Sequence, residues 1–260
     1  MEDVVPWLHL LRLPSWSLDR EPEWLANSII ETITSLPLLT EFTIKYSYRS
    51  EAYPSLHLLK NLTKLSVHGR SDDFRGKIVT GVAQAIAGSP NIKHLDFDSD
   101  AWWGRGREHS LHDLFSNVSV DSTLKLQNLG LAGIRVGLDA RTIRHLRSLT
   151  SLQWMRNVVI QDNNYVNSTE GLWHTLKTER IQLAELKTDQ MSDDLLQYLS
   201  SYEGLRDLRL DRISGKDDDD SNRLADTFFQ EVLPRHRGSL EILHIDAAYE
   251  GNWVSLLLIP

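Results

Sequence analysis

Apolar residues recur along the chain in a frame of three, at i, i+3 and i+5, with polar residues between them. The run Leu205-Arg-Asp-Leu208-Arg-Leu210-Asp shows it most plainly, with leucine at each frame position and charge at the intervening ones. Alternation of period 2 is the pattern of a strand that has one face covered and the other in water. Nine copies are recognisable: Leu8/Leu11/Leu13, Leu39/Phe42/Ile44, Leu62/Leu65/Val67, Ile92/Leu95/Phe97, Leu126/Leu129/Leu131, Leu149/Leu152/Trp154, Leu183/Leu186/Thr188, Leu205/Leu208/Leu210 and Leu240/Leu243/Ile245. Thr188 is the least apolar member. The middle residues are separated by 31, 23, 30, 34, 23, 34, 22 and 35 positions, so each step holds one short strand and a connection.

The connections carry helical spacing instead. Leu25, Ile29 and Ile33 follow Pro22, and Ile78, Val82 and Ile86 precede the stop signals Gly88 and Pro90. Ser110-x-x-Asp113 is a capping signal, and Asp139 leads into Ile143 and Leu146. Ser168 precedes Leu172, Trp173 and Leu176, Ser192 precedes Leu195, Leu196 and Leu199, and Leu224, Phe228 and Val232 follow the acidic run Asp217 to Asp220. A strand–helix step repeated at this period predicts an α/β leucine-rich repeat solenoid, a ribonuclease-inhibitor-like right-handed arc with a concave parallel β-sheet and convex helices. One step cannot bury its own apolar face, whereas stacked steps form a continuous core. A closed (βα)8 barrel is the competing architecture, but its strands are covered on both faces and read as unbroken apolar runs. The copy Leu149-x-x-Leu152-x-Trp154-x-x-Asn157-x-Val159 has the longer form with a turn asparagine. The expectation is a single domain over residues 1–260, of about nine irregular repeats and lacking both caps, since Val254 to Pro260 is apolar where a terminal repeat carries a polar face.

Composition narrows the function classes. With 260 residues, 41% hydrophobic and 25% charged, the chain lies outside the disordered class. A net charge of -8 and a pI near 5.7 disfavour a general nucleic-acid binder and an anionic membrane surface. The absence of cysteine excludes disulfides and thiolate metal sites and suits the cytoplasm or nucleus. No signal peptide is expected at Met1-Glu-Asp-Val-Val-Pro6, and no apolar run approaches the roughly 20 residues of a membrane helix.

If the strands stack in register, the residues between the frame positions form columns on the water face. The central column is Arg12, Thr43, Ser66, Asp96, Gly130, Gln153, Lys187, Arg209 and His244, and the following one is Pro14, Lys45, His68, Asp98, Ala132, Met155, Asp189, Asp211 and Asp246. Asp96, Asp98, Gln153, Lys187, Asp189, Arg209, Asp211, His244 and Asp246 are therefore the candidate partner-binding residues. Lys187 beside Arg209, bordered by the three aligned aspartates, reads either as a charged pattern for a partner or as a solvated face. In the second reading Lys187 and Arg209 reach diagonally to Asp207, Glu185 and Asp189. The loop Trp102-Trp103-Gly-Arg105-Gly-Arg107 is a second candidate, because Trp and Arg are enriched at binding hot spots; the alternative is that it folds back as a lid on the core.

Catalytic and cofactor signatures are missing. Gly69 to Lys77 has six residues between its glycines, and Ile78 stands where a phosphate loop has Ser or Thr. His109 and His112 lack further metal ligands. Asp217 to Asp220 lacks the spaced ligands and glycine of a calcium loop, and reads as a solvated, flexible connector. No cofactor is expected. The enzymatic alternative is a hydrolase using Asp96, Asp98 and His94.

The stretch Phe228-Phe229-x-x-Val232-Leu233-Pro234-x-His236-x-x-Ser239-Leu240-x-x-Leu243-x-Ile245-x-Ala247-Ala248-Tyr249-Glu250-Gly251-x-Trp253, with Leu199-Ser-Ser-Tyr202-Glu-Gly204-Leu205, resembles the leucine-rich-repeat region of the F-box/LRR-like proteins of mushroom-forming fungi. The resemblance implies a non-enzymatic protein–protein interaction module, of the kind that forms the substrate-recognition half of a cullin-type ubiquitin-ligase receptor. In that family an F-box docks on the Skp1 adaptor. Here the first frame begins at Leu8, leaving seven residues for a module of several helices, so no adaptor binding is expected of these residues.

Overall fold

The computed structural model describes residues 15–47, 49–69, 76–99, 110–134, 136, 138–155, 171–248 and 251–255. The chain forms two compact units, one comprising Met1–Ser148 and Asn157–Ser168, the other Leu149–Arg156 and Thr169–Pro260. In the first, β1 (Ser15–Leu18), β2 (Glu41–Tyr46), β3 (Lys64–Gly69), β4 (His94–Ser99) and β5 (Asn128–Ala132) pair in chain order, all parallel. Between them lie α1 (Glu23–Thr34), a 3-10 turn at Leu56–Leu58 and α2 (Lys77–Ala87), then α3 (Leu111–Phe115); α4 (Ala140–Ile143) follows β5. In the second, β6 (Ser151–Met155), β7 (Glu185–Thr188), β8 (Asp207–Ile213) and β9 (Ile242–Ala247) are again parallel and in order. Their connections hold α5 (Leu172–Thr178), α6 (Asp193–Leu199), α7 (Asp218–Thr227), a π turn at Phe228–Val232 and α8 (Leu233–His236), with α9 (Gly251–Ser255) after β9.

The frame residues align across the strands. Phe42, Leu65, Leu95 and Leu129 form one row and Ile44, Val67, Phe97 and Leu131 the next, every one of them buried. Leu152, Leu186, Leu208 and Leu243 form the corresponding row in the second unit. Thr188 keeps its place facing inward and is fully buried. Among the described strands, β1 pairs only with β2 and β9 only with β8, which is an open ladder and not a closed barrel.

The first repeat departs from expectation. The strand beside β2 is Ser15–Leu18, with Ser15 opposite Thr43 and Ser17 opposite Lys45, so these serines take the column places assigned to Arg12 and Pro14. Leu8 to Leu13 lie outside the described residues, as do Asn157 and Val159 of the longer copy, Ser168 and residues 256–260. In α1 the buried residues are Ala26 and Ile30, one position on from the expected Leu25/Ile29/Ile33 stripe. In α2 the expected Ile78, Val82 and Ile86 are all buried, joined by Val79, Ala83 and Ala85. The acidic run is not a loose connector. Asp217 is the N-cap of α7, its carboxylate accepting the Asp220 N–H at 2.8 Å, and Asp218 to Asp220 form the first turn, where carboxylates complement the helix dipole. Arg223 bridges Asp220 at 2.7 Å and Asp193 of α6 at 2.6 Å.

Two sets of hydrogen bonds recur at the strand entrances. In the first, one carbonyl just ahead of a strand accepts two successive N–H groups of the next. Thr40 receives Thr63 and Lys64, Thr63 receives Lys93 and His94, and Lys93 receives Gln127 and Asn128. Thr150 likewise receives Ala184 and Glu185, Ala184 receives Arg206 and Asp207, and Arg206 receives Glu241 and Ile242. In the second, an N–H a few residues further ahead is buried and takes a side-chain acceptor from the end of the same step. Leu62 donates to Ser89 Oγ at 3.1 Å, Leu124 to His145 Nδ1 at 3.1 Å, Leu183 to Tyr198 Oη at 3.2 Å and Leu205 to His236 Nδ1 at 3.3 Å.

Tyr198 returns its own hydroxyl proton to the Ile181 carbonyl at 2.9 Å, and its ring stacks on Trp173 at 5.7 Å. Burial pushes its phenol far above the usual range, so the hydroxyl stays protonated at any ordinary pH. Tyr198→Phe keeps the ring but strands a buried donor and a buried acceptor. It should lower stability by about 1–3 kcal/mol, read as a lower urea midpoint at unchanged slope.

Candidate functional site

The intervening residues all lie on the face away from the frame residues, as period 2 dictates. In the second unit Gln153, Lys187, Arg209 and His244 stand in one row, register-paired neighbour to neighbour. Gln153, Arg209 and His244 are exposed and Lys187 is half-buried; none points into the core. Two cations side by side on adjacent strands repel unless anions intervene, and here the anions do. Arg209 binds Asp207, two residues back on its own strand, through Nε at 3.1 Å and Nη2 at 3.1 Å. Lys187 Nζ reaches Asp211 across to β8 at 3.1 Å, and His244 Nε2 lies 3.7 Å from the same carboxylate. Of the expected partners Asp207 pairs with Arg209, and Asp211, which was not among them, accepts from Lys187.

The aligned acidic strip is not continuous. Register runs from Leu210↔Ile245 to Ile213↔Ala247, so Asp211 and Arg212 together oppose Asp246 in a bulge. Arg212 sits there at φ 51°, a left-handed conformation that a bulge demands and that residues other than glycine adopt at a cost. The bulge takes Asp211 out of line with the exposed Asp246 and leaves it between Lys187 and His244. Asp189 follows directly after β7.

In the first unit Asp96 and Asp98 project from β4 on the same face, next to His68 of β3. His68 Nε2 is 3.3 Å from Asp96 Oδ2, and Nδ1 is 3.9 Å from Asp98 Oδ2. His94, the imidazole of the hydrolase alternative, heads the same strand, but the ring at the two carboxylates is that of His68. The signal for His68 was its column position beside Asp98, overlooked because a single histidine on a polar face draws no attention.

Gly130 completes this arrangement from β5. It stands opposite Asp96, and a Cβ added to it would lie 2.5 Å from Asp96 Oδ1, so the bare backbone is what lets the carboxylate lie over β5. Burial first, then the Asp98 charge, raise Asp96 above the usual carboxylate range, against His68 and Lys64. The Asp98 and Asp96 carboxylates hold His68 above its ordinary value, against burial and Lys45. Asp98 Oδ1 is buried with no hydrogen-bond partner among the described residues.

Trp102, Trp103 and Arg105 lie outside the described residues, as does His109. His112 forms a 3.2 Å pair with Asp139, the N-cap of α4. Among the described residues no cluster of three or more His, Asp or Glu side chains is arranged to hold a metal ion, and no helix is long and apolar enough to cross a membrane. An open polar groove lies between Glu203, Glu231, Arg235 and Ser239 of the second unit; it contains none of the strand-face residues.

No protein-family model matches the chain, and no curated protein matches it.

The Gly130 hollow makes a clean test of the first cluster. The atoms nearest a methyl group there all belong to the Asp96 side chain, with Oδ1 at 2.5 Å, so Gly130→Ala should fold with that carboxylate turned away from His68. The His68 pKa, followed by NMR of the ring protons, should fall from its raised value toward the ordinary one, and Asp98→Asn should lower it as well. The sign follows from the charges. A raised histidine stabilises the fold below about pH 6.5, and that contribution is lost as pH rises through the raised value.

Proposed function

We propose that the chain is a non-enzymatic protein-binding module, a leucine-rich repeat arc whose outward strand face takes a protein partner. The observation that carries this reading is the row Gln153–Lys187–Arg209–His244 with Asp207 and Asp211. It is a band of charge on rigid strands, open to water, and every pair in it is exposed enough to be exchanged for a partner's groups. Exposed ion pairs of this kind attract each other only weakly, so they orient side chains without locking them. A partner with the complementary order of charges gains association rate and specificity from such a band.

Catalysis is disfavoured by the same geometry. A hydrolytic site wants its base in a concave, water-excluding pocket. The His68, Asp96 and Asp98 side chains are 31–42% exposed on an open strand face. The likeness of the C-terminal stretch to fungal F-box/LRR-like proteins supports a role in presenting a substrate to a cullin-type ubiquitin ligase. The adaptor contact is not part of the proposal. A chain without cysteine suits the cytoplasm or nucleus, and neither nucleic acid nor membrane is a partner in this reading.

Affinity capture from the native cell tests it. The double variant Lys187→Glu/Arg209→Glu should reduce recovery of the specific co-purifying protein at least about tenfold, whereas Lys177→Glu on α5 should leave it unchanged. Equal recovery with both would remove the second unit's strand face as the binding surface.

A further inference from the structure

Among the described residues two histidines are buried away from the strand face, one in each unit. His145, just after α4, and His236, at the end of α8, are each 1% exposed. His145 faces two donors, the Leu124 N–H ahead of β5 at Nδ1 (3.1 Å) and the Arg144 Nε–H at Nε2 (3.3 Å); the neutral ring has one bare nitrogen to accept from one of them at a time, and the protonated ring accepts from neither. The Nδ1 of His236 accepts the Leu205 N–H that leads into β8 at 3.3 Å, while its Nε2–H donates to the Leu199 carbonyl at 3.0 Å. Each ring stands edge-on to an aromatic of the preceding step, Phe115 or Tyr202, at 5.2 Å.

A nitrogen that accepts a backbone N–H must be bare, because only the unprotonated ring nitrogen offers a lone pair. Adding a proton there sets N–H against N–H. The donor from the strand entrance then loses its acceptor while still buried, and the ring carries an uncompensated charge into the interior. Burial works most strongly against a cation at both rings. Arg144 and Arg141 add to it at His145, with only Asp139 in favour, whereas at His236 the Leu199 carbonyl and then Glu203 favour a cation and Arg235 opposes it. Burial, followed by these arginines, pushes His145 down to about 4, and burial lowers His236 as well.

We propose that His145 and His236 are acid-sensitive latches, one per unit, which tie the strand entrance to the end of the same step only while the ring is neutral. The remaining two entrances provide an internal comparison. Leu62 and Leu183 donate to Ser89 Oγ and Tyr198 Oη, neither of which takes up a proton in mild acid. Acidification therefore loosens β5 and β8 ahead of β3 and β7. A histidine held below its unfolded value of about 6.5 contributes its full stability above that pH and loses it as pH falls below. For His145 the loss extends down to about pH 4.

Amide hydrogen exchange of the whole chain, corrected for intrinsic rates, tests this between pH 7.5 and 5. The Leu124 and Leu205 amides should lose protection by up to about tenfold per pH unit below about 6.5, with Leu62 and Leu183 holding theirs. His145→Gln should abolish the acid loss at Leu124 while leaving it at Leu205, and His236→Gln should do the reverse. Equal acid loss at all four amides of the unmodified chain, or none at Leu124 and Leu205, would overturn the proposal. That comparison needs no variant, so it stands even where a glutamine variant fails to fold.

Discussion

Backbone N–H groups just ahead of each strand set the main constraint on this chain. They precede the ladder that would otherwise pair them, and those of Leu62, Leu124, Leu183 and Leu205 are buried. A buried donor without an acceptor costs about as much as a well-made hydrogen bond gains, so each must be met. The nearest ones use the carbonyl of the previous entrance, two N–H groups to one oxygen, and this unit of bonding repeats from Thr40 to Arg206. The next ones need a side chain returning from the far end of the step: Ser89, His145, Tyr198 and His236. Three different residue types serve because all that matters is a lone pair at the right point. This also explains how steps of 22 to 35 residues build a regular ladder within each unit. A step can hold a seven-residue helix such as α6 or the eleven residues of α2, provided its last turn comes back beneath its own strand.

The water face follows a weaker rule. Lys187 and Arg209 are paired by register and would repel; Asp207 on one side and Asp211 on the other intervene. Exposed pairs of this sort are screened by salt and contribute little to folding. Their arrangement therefore reflects where the backbone puts the carboxylates more than any demand of stability. The bulge at Asp211 and Arg212 illustrates this, since it turns one aspartate toward Lys187 and His244 and leaves Asp246 exposed.

Much of this is legible in the residues alone, and the parts that are not have physical reasons. Period 2 in Leu205-Leu208-Leu210 and its counterparts determines inside and outside without ambiguity, and the register of eight of the nine copies follows from it. The helix phase is less secure. In α1 a stripe of Leu25, Ile29 and Ile33 looks like the buried face, yet Ala26 and Ile30 pack, because small Ala26 lets the helix approach closely and a hydrophobicity count undervalues it. Strand charges belong to the correct face, but diagonal partners depend on the bulge, which has no glycine to announce it: Arg212 adopts the left-handed conformation itself. The acidic run Asp217 to Asp220 looks like a solvated loop by charge density, whereas its first member is an N-cap and the rest lie where the helix dipole favours carboxylates. His145 and His236 are invisible for the opposite reason. A buried histidine satisfied by backbone leaves no periodic trace.

The two outward clusters differ in one chemical respect that sets how each responds to its surroundings. In the second unit Lys187 and Arg209 pair with Asp211 and Asp207 on an exposed face, where salt attenuates their attraction. In the first unit the group beside Asp96 and Asp98 is the His68 imidazole, which those carboxylates hold above its ordinary value. Its protonation alters the local charge by one unit, while both carboxylates stay in place on β4. A glycine decides that this happens at all. Without the bare backbone of Gly130, Asp96 Oδ1 could not occupy the space over β5, and His68 would lose its nearer acceptor. A residue that looks like a gap in the column of polar side chains is therefore the one that sets the direction of its charged neighbour, which is why the cluster is seen only once the strands are in register.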